Sequence, residues 1–289
     1  MTTVNTARGV PAAAAGTITL GGELTVNRMG FGAMRLTGKG IWGPPANPDQ
    51  AVRVLQRAVE LGVNFIDTAD SYGPYIAEQL IADALYPYPG LVIATKGGLD
   101  RPGPDIWVEN GRPEVLRERL EGSLRRLRRD YIDLYQLHRI DPKVPAEEQF
   151  AALLEFQREG LVRHVGLSEV TIADIERASA VLPIVSVQNR YNVTDRRWDE
   201  EVDYCEREGL AFIPWFPLSA GAMDDPVIHR VAARHGATPF QIALAWLLER
   251  SPSMLVIPGT SSVGHLEENV AAAEIRLTKK DMKELDKIA

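Results

Sequence analysis

One cysteine, Cys205, is present in 289 residues, which excludes an internal disulfide and suits a reducing compartment. It sits in the charged run Glu201-Val202-Asp203-Tyr204-Cys205-Glu206, where nothing marks it as a nucleophile. Five histidines and that lone cysteine form no cluster with metal-ligand spacing. No Gly-x-Gly-x-x-Gly follows an early strand, which argues against a Rossmann-type domain. No apolar run approaches the ~18 residues that a membrane-spanning helix needs. Acidic residues outnumber basic ones, 39 to 32, and a net charge of −7 speaks against general nucleic-acid affinity. The densest basic run, Arg125-Arg126-Leu127-Arg128-Arg129, ends a helical pattern and reads as a solvated helix terminus. The N-terminus offers one arginine, then Pro11 and four alanines, too short and weakly apolar for a signal peptide. The expectation is a cytoplasmic protein with residues 1–16 a mobile tail before a single domain, 17–289.

What is present is an alternation. Short apolar strands alternate with longer amphipathic helices from end to end, which implies a parallel sheet covered by helices. The strand candidates are Met29–Met34, Asn64–Asp67, Leu91–Thr95, Asp133–His138, Arg163–Ser168, Val185–Gln188, Ala211–Trp215 and Leu255–Ile257. Eight strands with their helices favour closure over an open sheet. Thr17–Leu20 and Glu23–Val26 flank Gly21-Gly22, a hairpin signal ahead of the first strand. The fold class expected is therefore α/β: a (β/α)₈ TIM barrel with an N-terminal β-hairpin. Helix starts are marked by Asn47-Pro48-Asp49-Gln50 and Thr238-Pro239-Phe240-Gln241, with weaker versions at Thr171/Asp174 and Thr278/Asp281. Irregular stretches at 36–46, 97–112, 189–197 and 216–226 all follow strands, on the face where such barrels build their sites.

Three consecutive strands end in residues able to do chemistry. Phe65-Ile66-Asp67-Thr68-Ala69-Asp70-Ser71-Tyr72-Gly73 closes the second, Ala94-Thr95-Lys96-Gly97-Gly98 the third, and Tyr135-Gln136-Leu137-His138-Arg139 the fourth. Each residue alone has an ordinary explanation. Asp67 can cap a turn, Tyr72 can be a rim aromatic, Lys96 a solvated lysine and His138 a satisfied core histidine. Their joint placement on one rim points elsewhere. Reducing a carbonyl needs a hydride on carbon and a proton on oxygen. A tyrosine with an ordinary pKa of about 10 is a poor acid at neutral pH, and a nearby ammonium lowers that value. A carboxylate holds the ammonium in place, and a histidine donor polarises the carbonyl oxygen. Asp67, Lys96, Tyr72 and His138 supply those parts without a metal.

These segments resemble the aldo-keto reductase family, over nearly the whole chain from about Thr17, and match its catalytic tetrad in order and spacing. The resemblance implies further roles. Ser168 and Gln188 would hold the nicotinamide carboxamide, although Glu169 stands where the family usually has Asn. Trp215 would stack on the nicotinamide ring, and Phe216-Pro217-Leu218 through Gly221 would pass over the pyrophosphate. Ile257, Gly259, Thr260, Ser261, Ser262, His265, Glu268 and Asn269 would bind the adenosine end. The Lys often found in place of Gly259 and the Arg often found in place of His265 are absent, which leaves a 2′-phosphate to Ser261, Ser262, helix N-terminal amides and His265 and makes NADH possible, with NADPH still favoured. Met34, Arg35, Trp42, Tyr75 and Trp107 form the expected substrate pocket. The loop at 40–45 and the Leu85-Tyr86-Pro87-Tyr88-Pro89 segment are similar to a bacterial branch that includes pyridoxal reductases. The chain ends soon after its last helix, Thr278–Ile288, and an open site with broad carbonyl tolerance is expected. The small-molecule carbonyl substrate is the one partner implied; neither nucleic acid nor a membrane is. Two other readings remain: a redox-sensing regulatory module that binds nicotinamide but turns over slowly, as in potassium-channel β subunits, and a barrel lyase using Lys96 as a Schiff-base amine.

Overall fold

The computed structural model describes residues 11–218 and 224–288. Strands β1 (Thr17–Leu20) and β2 (Leu24–Asn27) form the expected antiparallel hairpin. Gly21 and Gly22 turn it with φ of 57° and 74°, a region that glycine enters without strain. Seven parallel strands follow in one sheet: β3 (Phe31–Gly32), β4 (Phe65–Asp67), β5 (Val92–Gly97), β8 (Ile132–Leu137), β9 (Val162–Ser168), β10 (Ile184–Gln188) and β11 (Ala211–Phe212). The eighth expected strand, Leu255–Ile257, is too short to count as one but closes the barrel. Leu255 donates to Phe212 O at one sheet edge, while Val256 donates to Arg28 O and accepts from Gly30 at the other.

Strand parity explains what lies inside. Successive side chains point to opposite faces, so Phe65, Val92, Ala94, Leu134, Val185 and Leu255 fill the barrel with Leu20, Leu24 and Val26 of the hairpin. Ile66, Ile93, Tyr135 and Val187 face outward into the larger core shared with the helices. The hairpin thus plugs one end of the barrel. Continuing the same parity toward the carboxyl ends sends Asp67, Lys96, Gln136, His138 and Ser168 into the other end; Gln188 joins them only because a register shift between Ile184 and Ser186 resets the alternation in β10. Most of the site is therefore a polar continuation of the barrel interior.

The helices are α1 (Pro48–Glu60), α2 (Ile76–Leu85), α3 (Pro113–Leu127), α4 (Ala146–Arg158), α5 (Ile172–Ser179), α6 (Asp199–Glu208), α7 (Pro226–His235), α8 (Pro239–Arg250), α9 (Val263–Ala271) and α10 (Lys279–Leu285). The weaker-looking caps at Thr171 and Thr278 are complete capping boxes, as is Thr238. Asn47 makes only half of one, because Gln50 Nε2 donates to Ser261 O instead.

Three expectations need correction. Residues 97–112 are largely a hairpin, β6 (Leu99–Gly103) with β7 (Ile106–Glu109), rather than an irregular loop. Part of the expected mobile tail is packed: Pro11–Ala15 forms a 3₁₀ turn with Ala12 and Ala15 buried and Ala12 N donating to Leu61 O. Residues 1–10 lie outside the described residues. The basic run ending α3 is not simply solvated, since Arg126 pairs with the fully buried Glu78 at 2.6 Å and Arg129 with Asp133 at 2.8 Å.

Candidate active site

Lys96 is completely buried at the end of β5. Its ammonium makes three contacts: Asp67 Oδ2 at 2.7 Å, Thr68 O at 2.8 Å and the Tyr72 hydroxyl at 3.2 Å. Burial alone would lower its pKa, but Asp67 and Tyr72 outweigh that and hold it above its ordinary value. Asp67 Oδ1 accepts from Gln136 Nε2 at 3.1 Å and Gln188 Nε2 at 2.9 Å. The carboxylate therefore has donors on both oxygens, as a buried charge requires. Gln136 escaped the sequence reading, although its parity with Leu134 and His138 marks it as inward-facing.

Tyr72 stands over this pair with its hydroxyl toward the cavity. Burial raises its pKa and Asp67 adds to that; Lys96 opposes, without reversing the direction. The expected net lowering by the ammonium is not what the geometry gives: desolvation is the larger effect, and Tyr72 stays protonated at neutral pH. His138 packs edge-on against Tyr72, with ring centroids 5.9 Å apart. Burial, then Lys96, Arg139 and Arg101, push its pKa well below the ordinary histidine value, so the imidazole is neutral. Ser71 Oγ lies 3.3 Å from its Nδ1.

These groups open into a cavity of about 510 Å³. Trp107 from β7 closes one side, edge-on to both Tyr72 and His138 at 6.3 and 6.2 Å. Arg101 fixes that tryptophan, its guanidinium 3.6 Å from the indole centroid, while donating to Ser71 O, Gly40 O and Ile106 O. Of the residues singled out in the sequence, Met34, Arg35, Ser168, Gln188, Trp215, Phe216, Pro217, Leu218, Ile257 and Gly259 also line the cavity. Gly32, Ile41, Leu99, Glu109 and Arg139 line it too and were missed. Only the fold of the rim loops brings those five together.

Two expected pocket residues stand apart. Trp42 is absent from the cavity wall and lies behind it, 5.7 Å from the Arg101 guanidinium. Tyr75 caps α2 with φ of 70° and points to Arg119 and Arg126, lining a separate depression. Its distance along the chain from Tyr72 is short, but the left-handed turn sends it to the outer side.

The wall near Trp215 is built by unusual backbone. Glu169 has φ of 54°, and its Oε1 accepts from Trp215 Nε1 at 2.7 Å and Arg190 N at 2.6 Å. The residue that departs from the family pattern thus anchors the indole from behind. Phe216, with φ of 55°, is held through its carbonyl by Asn192 Nδ2 at 3.0 Å. Beyond Gly259 the cavity meets a polar depression of about 450 Å³ that shares Met34, Arg35 and Ile41 and adds Thr260, Ser261 and Lys39. A side chain at Gly259 would have its Cβ 2.6 Å from Gly32 O, so only glycine lets these segments meet. Ser262 caps α9, accepting from His265 N at 3.4 Å, and His265 is exposed. Glu268 accepts from Thr238 Oγ1, and Asn269 is buried. These four do not line either cavity; Gly221 lies outside the described residues.

Residues 28–289 match the model of the aldo/keto reductase family. The chain belongs to the aldo-keto reductases. It is 53% identical over 279 residues to an uncharacterised oxidoreductase of Schizosaccharomyces pombe, covering 96% of this chain and 91% of that one. With pyridoxine 4-dehydrogenase of Escherichia coli K12 it shares 44% identity, covering 94% and 98%. An aldo-keto reductase from Klebsiella pneumoniae, solved in complex with NADPH, superimposes with a TM-score of 0.79 at 25% identity over 94% of each chain. No helix among the described residues is long and apolar enough to cross a membrane.

Proposed function

We propose that this aldo-keto reductase reduces aldehydes or ketones with NADPH, Tyr72 delivering the proton to the carbonyl oxygen. The observation that carries this reading is the chain Asp67–Lys96–Tyr72, with links of 2.7 and 3.2 Å, opening beside a neutral His138. Bound NADPH supplies a hydride to the carbonyl carbon. The cavity lined by Tyr72 and Trp215 adjoins, at Met34, Arg35, Ile41 and Gly259, the depression lined by Thr260 and Ser261, which offers a dinucleotide two adjacent spaces. Trp215, anchored through Glu169, offers a flat wall for a nicotinamide ring. Ser168 and Gln188 would hold its carboxamide, Phe216 to Leu218 the pyrophosphate, and Gly259 to Ser261 the adenosine end.

The proton chemistry belongs to the chain's own residues. Tyr72, protonated at neutral pH, donates to the oxygen as negative charge builds there. Lys96, 3.2 Å from the hydroxyl, stabilises the phenolate left behind. Asp67 keeps Lys96 charged and in position. If Ser71 donates to His138 Nδ1, the neutral ring carries its proton on Nε2 and donates to the same carbonyl oxygen, orienting it.

The relative that acts as a pyridoxine 4-dehydrogenase makes pyridoxal the first substrate to test. A single cysteine, which can form no internal disulfide, suits a reducing compartment such as the cytoplasm. The test follows NADPH absorbance with a panel of aldehydes including pyridoxal, and NADH in parallel. Tyr72→Phe is expected to lose roughly 10²–10⁴-fold in kcat, the span of a general acid, while NADPH still quenches tryptophan fluorescence. Cofactor binding without turnover by the wild type on any carbonyl would replace this reading with the regulatory one.

A further inference from the structure

Arg139 follows His138 directly in sequence and lines the same cavity. It is largely withdrawn from solvent, and burial holds its pKa below the ordinary arginine value. Nη1 donates to His138 O at 2.6 Å and Ser168 Oγ at 3.0 Å, both uncharged acceptors. Among the described residues no carboxylate lies within 4 Å of the guanidinium, and Nε and Nη2 have no hydrogen-bond partner. Glu169 and Glu109 act on it only through space; Glu169 is turned to Trp215 and Arg190, and Glu109 is exposed at the rim. Arg126 and Arg129, of comparable exposure, each hold a carboxylate below 3 Å, while Arg28 and Arg101, which hold none, have Nε, Nη1 and Nη2 all donating to backbone carbonyls.

A guanidinium removed from water without a countercharge is costly, and its free Nε and Nη2 donors fit an anionic oxygen. Its bond is to the His138 backbone carbonyl, but its charge is close enough to act on both the His138 imidazole and the Tyr72 hydroxyl, which sets that oxygen near them. If His138 orients the carbonyl, the anion belongs beside the carbonyl rather than at the far end of the substrate. The walls next to it, Trp107 and the Trp215 indole 5.9 Å from the guanidinium, favour a flat ring.

We infer that Arg139 is the subsite for an aromatic aldehyde carrying an ionised hydroxyl ortho to the carbonyl. This rests on the reductase reading proposed above and narrows its substrate. Pyridoxal, whose ring hydroxyl neighbours the aldehyde, is one member of the class.

The deciding comparison is salicylaldehyde against 2-methoxybenzaldehyde, close in shape, above the pKa of the phenol, in wild type, Arg139→Gln and Arg139→Lys. NADPH affinity is measured for each by fluorescence. The expected result is a ratio of kcat/KM, salicylaldehyde over its ether, that falls roughly 10- to 100-fold in Arg139→Gln, the span of one charge-assisted hydrogen bond. Lysine should restore part of it. A ratio unchanged by either substitution overturns the inference, because a packing role lowers both substrates together. An unchanged ratio with weakened NADPH binding assigns the anion to the cofactor and overturns it equally. If the wild type reduces other carbonyls of the panel but not salicylaldehyde, the inference is overturned; if it reduces none at all, the reductase reading fails. Titration with benzoate and benzamide then decides the subsite: selective benzoate binding lost in Arg139→Gln supports it, and equal binding refutes it.

Discussion

Asp70 shows how one residue can be set against its own ionisation. Its carboxyl is buried behind Tyr72, with Oδ1 unpartnered among the described residues, and burial, then neighbouring Glu78, raise its pKa to about 8. Arg119 stands 3.7 Å from it, the loose edge of an ion pair, and is held more closely by Asp100 at 2.8 Å. The guanidinium is thus shared, and desolvation decides the direction. A carboxyl protonated in the fold and free to ionise when unfolded costs stability as pH rises from its ordinary 3.8 to about 8. Asparagine cannot ionise. The melting temperature of Asp70→Asn, measured against wild type, should therefore gain with rising pH across that window and level off above it. A difference that does not change with pH would show that Arg119 neutralises Asp70 after all. The same scale explains what the site reading could not see. Asp67, Lys96, Tyr72 and His138 announce themselves by type and position, whereas Arg139 and Arg101 do not. Their roles depend on the absence or presence of partners contributed by distant segments.

Elements carry the next level of control. The last helix, α10, is only seven residues long, below the length that holds itself together in water. Asp281 makes it possible. Its carboxylate accepts from Thr278 in a full capping box and from Arg234 at 2.6 Å, with His235 3.1 Å away, tying α10 to α7. These bonds outweigh desolvation and hold its pKa far below the usual carboxylate range. The stability they give is present above the ordinary carboxyl pKa and is lost only in strong acid. Asp281→Ala should cost about 2 kcal/mol, within the ~1.5–3 kcal/mol of hydrogen bonds to a charged group, as read by urea denaturation at neutral pH. A loss below a few tenths would mean that Arg234 and His235 find other partners. At this scale sequence signals worked well where the partner is local, as in the Thr238, Thr171 and Thr278 caps. They failed at Gln50, whose side chain leaves its own helix start for Ser261.

The whole molecule depends on a closure that the strands alone do not complete. Arg28 at the first barrel edge donates to Met254 O at 3.0 Å, to Leu248 O at 2.7 Å, and to the carbonyls of Ser251 and Ala15. It staples the short eighth segment and the packed N-terminal turn to the end opposite the site, where barrels place residues for stability. Arg28→Met leaves several carbonyls without donors, which at ~1–3 kcal/mol each should remove about 3 kcal/mol of stability. Turnover measured well below the melting temperature should stay within about twofold, since this end carries no chemistry. Equal loss of turnover and stability would mean that closure sets the site geometry as well. The amino-acid sequence by itself determined the alternation of strands and helices, the N-terminal hairpin, the helix starts, and the polar residues Asp67, Lys96 and His138 at consecutive strand ends. Each follows from interactions within a few residues or from strand parity. Tertiary structure decided the rest: that Leu255–Ile257 closes the barrel by bonding both edges, that Tyr75 and Trp42 leave the cavity, and that burial outweighs Lys96 in setting Tyr72. It also decided that Arg139 faces the cavity without a carboxylate. Burial and charge pairing sum over segments far apart in the chain, and no local pattern encodes that sum.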